Sequence, residues 1–252
     1  MTLPIGRLVP YRMFSGVENM SLDHMLQESV DRSQQMTLRF YGWSKPTLSL
    51  GYFQSYQERN SHGPSGSVLS VRRSTGGGCL VHHHELTYSL IIPQDLGSIG
   101  PRLDLYQQVH HCIRQALKNV GVLVKPFSQT QGGQCGQRNC DQFLCFQRRT
   151  ADDLILNGYK VVGSAQRKSR ASLLQHGSLL LDSSQYAFEL PGVNDLVTHS
   201  VDFEQIMVAI ADNLADLFSV KLREADFLDQ EIVRAAEIAD QRYGNERWLH
   251  RR

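Results

Sequence analysis

Hydrophobic positions along the chain fall into two periods, and the alternation between them outlines a fold. Over residues 18–32, Met20, Leu22, Met25, Leu26 and Val30 recur at roughly helical spacing, which predicts an early amphipathic helix. The pattern then shortens. TLRFYGW, TLSLGYF, SVLSVRR and LTYSLIIP, beginning at Thr37, Thr47, Ser67 and Leu86, are rich in aromatic, β-branched and leucine residues and are separated by Gly, Pro and Ser clusters, so they predict strands. Leu105, Val109, Ile113, Leu117 and Val120 share one stripe and predict a second helix. Residues 125–149 have little periodicity and many Gln, Gly and Arg, which predicts a long surface loop carrying Cys135, Cys140 and Cys145. DDLIL and KVVGSAQ then flank Asn157-Gly158, a strong hairpin signal because both turn positions need positive φ. SLLQHGSLLLD from Ser172 predicts a further strand. Phe203, Ile206, Met207, Ile210, Leu214 and Phe218 define a helix, and residues 227–243 another. With no internal repeat or low-complexity linker, the pattern predicts one α+β domain over 1–222 and a small helical C-terminal extension over 223–252.

Composition narrows the function classes. The chain has 252 residues, 41% hydrophobic, and a formal net charge of +1, so no global field draws a polyanion and nucleic acid is disfavoured as a partner. The N-terminal MTLPIGRLVPYRMF contains no continuous apolar region, and nowhere do about 18 apolar residues run together as a membrane span requires. The expectation is a cytoplasmic protein that neither enters nor crosses a membrane. Five cysteines, an odd number without an export signal, point to reduced thiols rather than a disulfide framework.

Four stretches can carry chemistry. In RRSTGGGCLVHHHELTYS, from Arg72 to Ser89, Gly76, Gly77 and Gly78 let the backbone approach a ligand and expose N–H groups, although a simple turn between strands has about the same claim. No Gly-Lys-Ser/Thr follows, so this is not a phosphate-binding P-loop. Cys145 lies in FLCFQRR, where Arg148, Arg149 and Lys160 could favour a thiolate; by itself a cysteine between Leu144 and Phe146 is more often a small buried hydrophobe. Lys160 stands two residues past the Asn-Gly turn, on a rigid hairpin. His176 and Gly177 interrupt an apolar strand. Metal binding is disfavoured: strand neighbours His82, His83 and His84 point to alternate faces, and C-x4-C-x4-C lacks the close pair of a structural zinc site.

Taken together, ENMSLDHML, LRFYGWSKPTLSLGYFQ, RRSTGGGCLVHHHELTYS, CFQR, NGYKVVGSAQR and LQHGSLLLD resemble, in order and spacing, the lipoate-protein ligase A-like cofactor transferase family, and most closely its cysteine-dependent octanoyltransferase branch. The resemblance implies an α+β catalytic domain of the biotin/lipoate protein ligase type, a mixed sheet packed with helices around an acyl tunnel. It implies Cys145 as the acyl-accepting nucleophile and Lys160 as the lysine at the acyl carbonyl. It also implies Arg72, Arg73, Gly76, Gly77, Gly78, His82, Gly163, Ser164, Ala165, His176 and Gly177 as substrate-binding positions. His83 and Cys79 depart from the family pattern, where Asp and Ala are usual, and Cys135 and Cys140 match no family motif.

The resemblance further implies a double displacement without nucleotide, metal or other cofactor: octanoyl passes from octanoyl-acyl carrier protein to Cys145 and then to a lysine of a lipoyl-carrier protein. Such carriers include the glycine-cleavage H protein and 2-oxoacid dehydrogenase acyltransferase subunits. His82 and Lys160 are the candidates for the base that serves the amine. The arginines and lysine Arg148, Arg149, Arg167, Lys168 and Arg170 are candidates for docking an acidic carrier, with a solvated hairpin edge as the plainer account. An amidotransferase drawing octanoyl from the H protein would use the same residues. An ATP-dependent lipoate ligase is a further alternative, disfavoured by Cys145 and by a chain that ends at RWLHRR without an accessory domain.

Overall fold

A computed structural model describes residues 2–94, 96, 102–131 and 144–252. Cys135 and Cys140 lie outside the described residues. The chain begins with strand β1 (Ile5–Phe14), crosses through helix α1 (Gly16–Ser33) and returns as β2 (Thr37–Trp43), which pairs with β1 in parallel. Ser15 caps α1: its hydroxyl accepts from the Glu18 amide while the Glu18 carboxylate accepts from the Ser15 amide. β1 is absent from the expectations above because Arg and Pro interrupt its apolar pattern. Pro10 sits where the register slips between Val9 and Arg12, a bulge that accommodates a residue without an N–H.

Strands β3 (Thr47–Leu50), β4 (Leu69–Arg72) and β5 (Leu80–His82) form a small sheet in the order β4-β3-β5, with the four-residue helical turn α2 (Gly63–Gly66) preceding β4. β6 (Glu85–Pro93) returns to the large sheet, and α3 (Arg102–Asn119) covers it. Then come β7 (Lys125–Pro126), β8 (Leu154–Leu156), β9 (Tyr159–Lys168), β10 (Ser172–Leu180), the turn α4 (Val193–Leu196), α5 (Phe203–Phe218), β11 (Lys221–Glu224), α6 (Asp229–Ile238) and the short α7 (Glu246–Leu249). The eight-stranded sheet runs β11-β1-β2-β6-β10-β9-β8-β7. Asn157 and Gly158 join β8 to β9 with φ of 49° and 88°, the left-handed pair anticipated from the Asn-Gly step.

Helices cover both faces of this sheet, which is why β2 is buried along its whole length. Leu38 and Phe40 join the core beneath α3 and α5, whereas Tyr41 and Trp43 join the core beneath α1 and α6. The segment expected as a separate extension closes that second core. The boundary placed between residues 222 and 223 falls inside β11, which pairs with β1. Ala235, Ile238 and Tyr243 pack with Met25 and Leu26 of α1, and Glu231 forms a buried ion pair with Arg7 at 2.8 Å.

Candidate active site

A turn at 144–148 brings Cys145 to the edge of the small sheet. The Cys145 amide donates to the Cys79 carbonyl at 2.6 Å, and the Gln147 and Arg148 amides close the turn on the carbonyls of Leu144 and Cys145 at 3.0 Å each. Leu144 and Phe146 anchor the turn in the core under that sheet. Of the three cysteines among the described residues, Cys79 and Cys112 are buried and Cys145 is half-buried. Burial pushes the Cys79 and Cys112 thiols up, the latter to about 11, so neither supplies a thiolate near neutral pH.

The Cys145 thiol opens into a cavity of about 50 Å³. Its walls include Met20 of α1, Tyr41 and Trp43 of β2, Arg73 with Gly77, Leu80 and His82 of β5, Thr87 of β6, Phe146, the Gly163-Ser164-Ala165 run of β9, and His176-Gly177-Ser178 of β10. Adjacent strands converge here because two glycines remove side chains. A Cβ on Gly163 would overlap the Lys160 side chain, and one on Gly177 would overlap Ser164 and stand 2.7 Å from the Gly163 carbonyl oxygen. Gly77, at φ of 95°, faces the thiol: a Cβ there would meet Arg73 Nη2 at 3.4 Å and Cys145 Sγ at 3.9 Å.

Arg73 faces Gly77 together with this thiol. Its Nη1 donates to the Ser49 carbonyl and hydroxyl at 2.9 and 2.6 Å, and its Nη2 donates to the carbonyls of Gly76 and Gly78 at 3.0 and 2.8 Å. The guanidinium therefore shapes the glycine loop from within. Burial lowers the Arg73 pKa, and Cys145 acts in the opposite direction. Its neighbour Arg72 points the other way, spanning the Gly51, Gln54 and Leu249 carbonyls, so it ties the C-terminal segment to β4 and does not line the cavity.

Lys160 enters the hairpin wall behind Phe146. Its Nζ pairs with Asp153 Oδ2 at 2.8 Å and reaches the Cys145 and Arg148 carbonyl oxygens at 3.5 and 3.3 Å, with the Phe146 ring centroid 5.1 Å away. The ammonium thus meets Cys145 through its backbone oxygen. Asp153 has no solvent exposure and also accepts from Tyr106 OH at 2.9 Å; that hydroxyl in turn accepts from the Ser164 amide at 3.1 Å. Nothing in the sequence pattern singled out Asp153, although it lies at the foot of the hairpin that carries Lys160.

Two histidines complete the walls. His176 lies between Thr75 Oγ1, 2.8 Å from Nε2, and Asp23 Oδ2, 3.3 Å from Nδ1. Asp23 also accepts from Arg39 at 2.8 Å, Tyr41 OH at 2.9 Å and Ser89 at 2.9 Å. Burial would raise the Asp23 carboxyl, but hydrogen bonding to His176 and the Arg39 charge outweigh it and hold it low. His82 lies flat against Trp43, ring centroids 3.7 Å apart, with its ring nitrogens at Ser49 Oγ (2.6 Å) and Glu85 Oε1 (2.7 Å). Burial lowers its pKa against the influence of Glu85. His83 instead bonds Ser184 and stacks on His84, outside the cavity.

Of the residues anticipated for the site, Cys145, Arg73, Gly77, His82, Gly163, Ser164, Ala165, His176 and Gly177 line the cavity. Gly76 and Gly78 stand behind it as acceptors for Arg73, and Lys160 stands behind Phe146. Asp23, Thr75, Glu85 and Asp153 are the additions the structure makes. Such an arrangement presents a half-buried thiol with the Arg73 guanidinium across Gly77, the Lys160 ammonium at the Cys145 backbone and an apolar recess, a setting for covalent acyl chemistry.

Residues 15–229 match the family model of the lipoyl protein ligase A/B catalytic domain. The octanoyltransferase LipM of Carboxydothermus hydrogenoformans is 28% identical, with 97% of this chain and 98% of that protein aligned. LipM of Bacillus subtilis is 26% identical over 93% of this chain and 94% of its own length. Among solved structures, lipoate-protein ligase A bound with ATP superposes with a TM-score of 0.76 at 18% identity, covering 99% of each chain. A bi-partite lipoate protein ligase from Thermoplasma acidophilum gives 0.75 at 18% identity over 98% of this chain and 97% of its own. These structures share the α+β fold described above.

Proposed function

The chain belongs to the lipoyl protein ligase A/B catalytic-domain family and is an acyltransferase, and from that premise we propose that it moves octanoyl from octanoyl-acyl carrier protein, through a Cys145 thioester, to a lysine of a lipoyl-carrier protein. The observation that carries this reading is the half-buried Cys145 thiol opening into a cavity between Arg73 and the hairpin of Lys160. In the first half-reaction the Cys145 thiolate attacks the thioester carbonyl carbon; a new C–S bond forms and the carrier thiolate leaves. In the second, the lysine ε-amine attacks the same carbon, an amide C–N bond forms, and Cys145 departs. The proton lost by the amine balances the one taken up by the departing thiolate, so no nucleotide or other co-reactant is consumed.

Arg73 places its guanidinium beside Gly77, which also faces the Cys145 thiol, and Lys160, held near the Cys145 backbone by Asp153, supplies positive charge where carbonyl charge develops. Both ring nitrogens of His82 are engaged by Ser49 and Glu85, which makes it a supporting residue for Arg73 rather than the amine's base. Each buried CH₂ of the acyl tail contributes about 0.8 kcal/mol. The apolar lining of the recess, Met20, Trp43, Leu80 and Phe146 among it, is where that tail would be buried. The carriers this reading implies, and the reduced thiol it needs, place the reaction in the cytoplasm. Among the described residues no helix is long and apolar enough to cross a membrane.

Intact mass after mixing with octanoyl-acyl carrier protein tests the reading. A hydroxylamine-labile octanoyl adduct is expected on the native protein and absent from Cys145→Ala. Offering octanoylated glycine-cleavage H protein in parallel separates the amidotransferase alternative. Formation of an acyl-adenylate from ATP and free octanoate, with Cys145→Ser still active, would replace the proposal with an ATP-dependent ligase.

A further inference from the structure

The net charge of +1 conceals a local excess of cations at one corner of the molecule. There the C-terminal segment folds back against residues 52–56: Arg72 donates to the Leu249 carbonyl, Trp248 Nε1 donates to the Arg72 carbonyl at 2.9 Å, and the Tyr56 amide donates to the Arg252 carbonyl at 2.7 Å. Arginines then stack on aromatic rings. Arg251 lies 4.1 Å from the Tyr52 ring centroid and 4.7 Å from that of Trp248, Arg242 lies 3.8 Å from the Trp248 ring centroid, and Arg252 lies 5.4 Å from that of Phe53, which is 67% exposed.

Arg167 of β9 joins them, donating to the Ser74 carbonyl at 3.2 Å. Among the described residues none of these four arginines lies within ion-pair distance of a carboxylate. Glu58, a carboxylate near this corner that acts on Arg72, accepts from the Gln54 side chain and the Ser55 amide. Arg242 Nε is buried without a hydrogen-bond partner, and burial together with the repulsion of Arg167 and Arg251 lowers its pKa.

The corner adjoins the candidate active site. Ser74, under Arg167, and Thr75, whose carbonyl accepts from the Tyr52 amide, begin the loop that reaches Gly77 and the Cys145 thiol. Like charges held together this way cost stability unless something of opposite sign offsets them, and rings beneath the guanidiniums keep them in place for it. A macromolecule that hands an acyl group to Cys145 has to dock within reach of this loop. We propose that Arg167, Arg242, Arg251 and Arg252, set on Tyr52, Phe53 and Trp248, are the docking surface for the acidic face of the carrier protein that delivers the acyl thioester. The inference rests on the acyl-transfer reading above and names the surface through which the donor is recognised.

The full chain carrying Arg251→Glu and Arg252→Glu tests it, with both side chains exposed and the backbone hydrogen bond of residue 252 retained. Two donors are compared by intact mass: octanoyl-acyl carrier protein and octanoyl-N-acetylcysteamine, a small thioester without a protein. Loading from the carrier is expected to fall about tenfold or more at low salt, the scale on which complementary charge alters association, while loading from the small thioester is unchanged. Raising the salt narrows the gap. Arg167→Gln, on a different element, is expected to show the same selectivity to a smaller degree. Undiminished loading from the carrier, or an equal fall with both donors in variants of unchanged melting temperature, overturns the proposal. Should the native protein load from neither donor, the acyl-transfer reading is what fails; titration with unacylated carrier protein then decides the docking surface, which requires binding to the native chain and its loss in the charge-reversed one.

Discussion

Two buried ion pairs flank the cavity, and they are built differently. On the β10 side, Asp23 accepts from Arg39, Tyr41, Ser89 and His176, while Arg39 also reaches Asn19 Oδ1 at 2.6 Å and lies 3.9 Å from the Tyr41 ring centroid. On the β9 side, Lys160 has one short partner, Asp153 at 2.8 Å, and two carbonyl oxygens at 3.3 and 3.5 Å in the turn that holds Cys145. A planar guanidinium fixes several directions together, whereas an ammonium is a point charge with rotatable donors. The first pair therefore holds a wall in place. The second leaves an ammonium with one short partner and freedom to reorient its remaining donors.

The largest effect is expected where the fixed pair is broken. Arg39→Ala strands Asp23 as an uncompensated buried charge, and urea unfolding should show a loss of about 3–5 kcal/mol. Replacing both partners, as Arg39→Met with Asp23→Asn, should return most of that stability. A small loss in the single variant would mean that Tyr41, Ser89 and His176 suffice for Asp23.

Breaking the adjustable pair should weigh on chemistry. Lys160→Ala is expected to slow acyl loading of Cys145 by about 10²–10³-fold, the scale of losing one electrostatic stabiliser, and to destabilise the fold through unpaired Asp153. Adding Asp153→Asn should recover stability but not the loading rate. Recovery of both would reduce Lys160 to a structural partner of Asp153.

The smallest effect sharpens the comparison through pH. His110 on α3 bonds Ser164 Oγ and the Asp152 carbonyl at 2.7 Å each, next to Asp153, and burial pulls its pKa down to about 4 from an ordinary 6.5. Between those values the unfolded chain binds a proton that the folded one refuses. Stability should therefore fall as pH drops from about 6.5 to about 4, by up to about 3 kcal/mol for this group, and level off below. His24, on the α1 side, is likewise drawn down to about 4 by burial and adds a second contribution of the same sign. His110→Gln should remove only its own share, read as a shallower dependence of the melting temperature on pH.

Much of this architecture was legible along the chain. The apolar stripe of α1, the strands from Thr37, Leu86 and Ser172, the Asn157-Gly158 turn and the helix Phe203–Phe218 all follow from local periodicity and turn chemistry. β1 was not, since a parallel strand interrupted by Pro10 shows its pairing only in three dimensions. Nor was the division of labour between Arg72 and Arg73: adjacent residues face opposite ways, and no local rule says which way is toward Cys145.

Motif order alone drew Cys145, Lys160, the glycine loop and His176 into one hypothesis, because glycine, thiol and cation chemistry are written in residue type. The compensation of buried charge is not written there. Asp153 answers Lys160, Asp23 answers Arg39, and Glu85 accompanies His82 through contacts made when strands and helices pack. Desolvation makes each pairing obligatory, yet the partner is chosen by three-dimensional proximity, so only the tertiary structure could supply it.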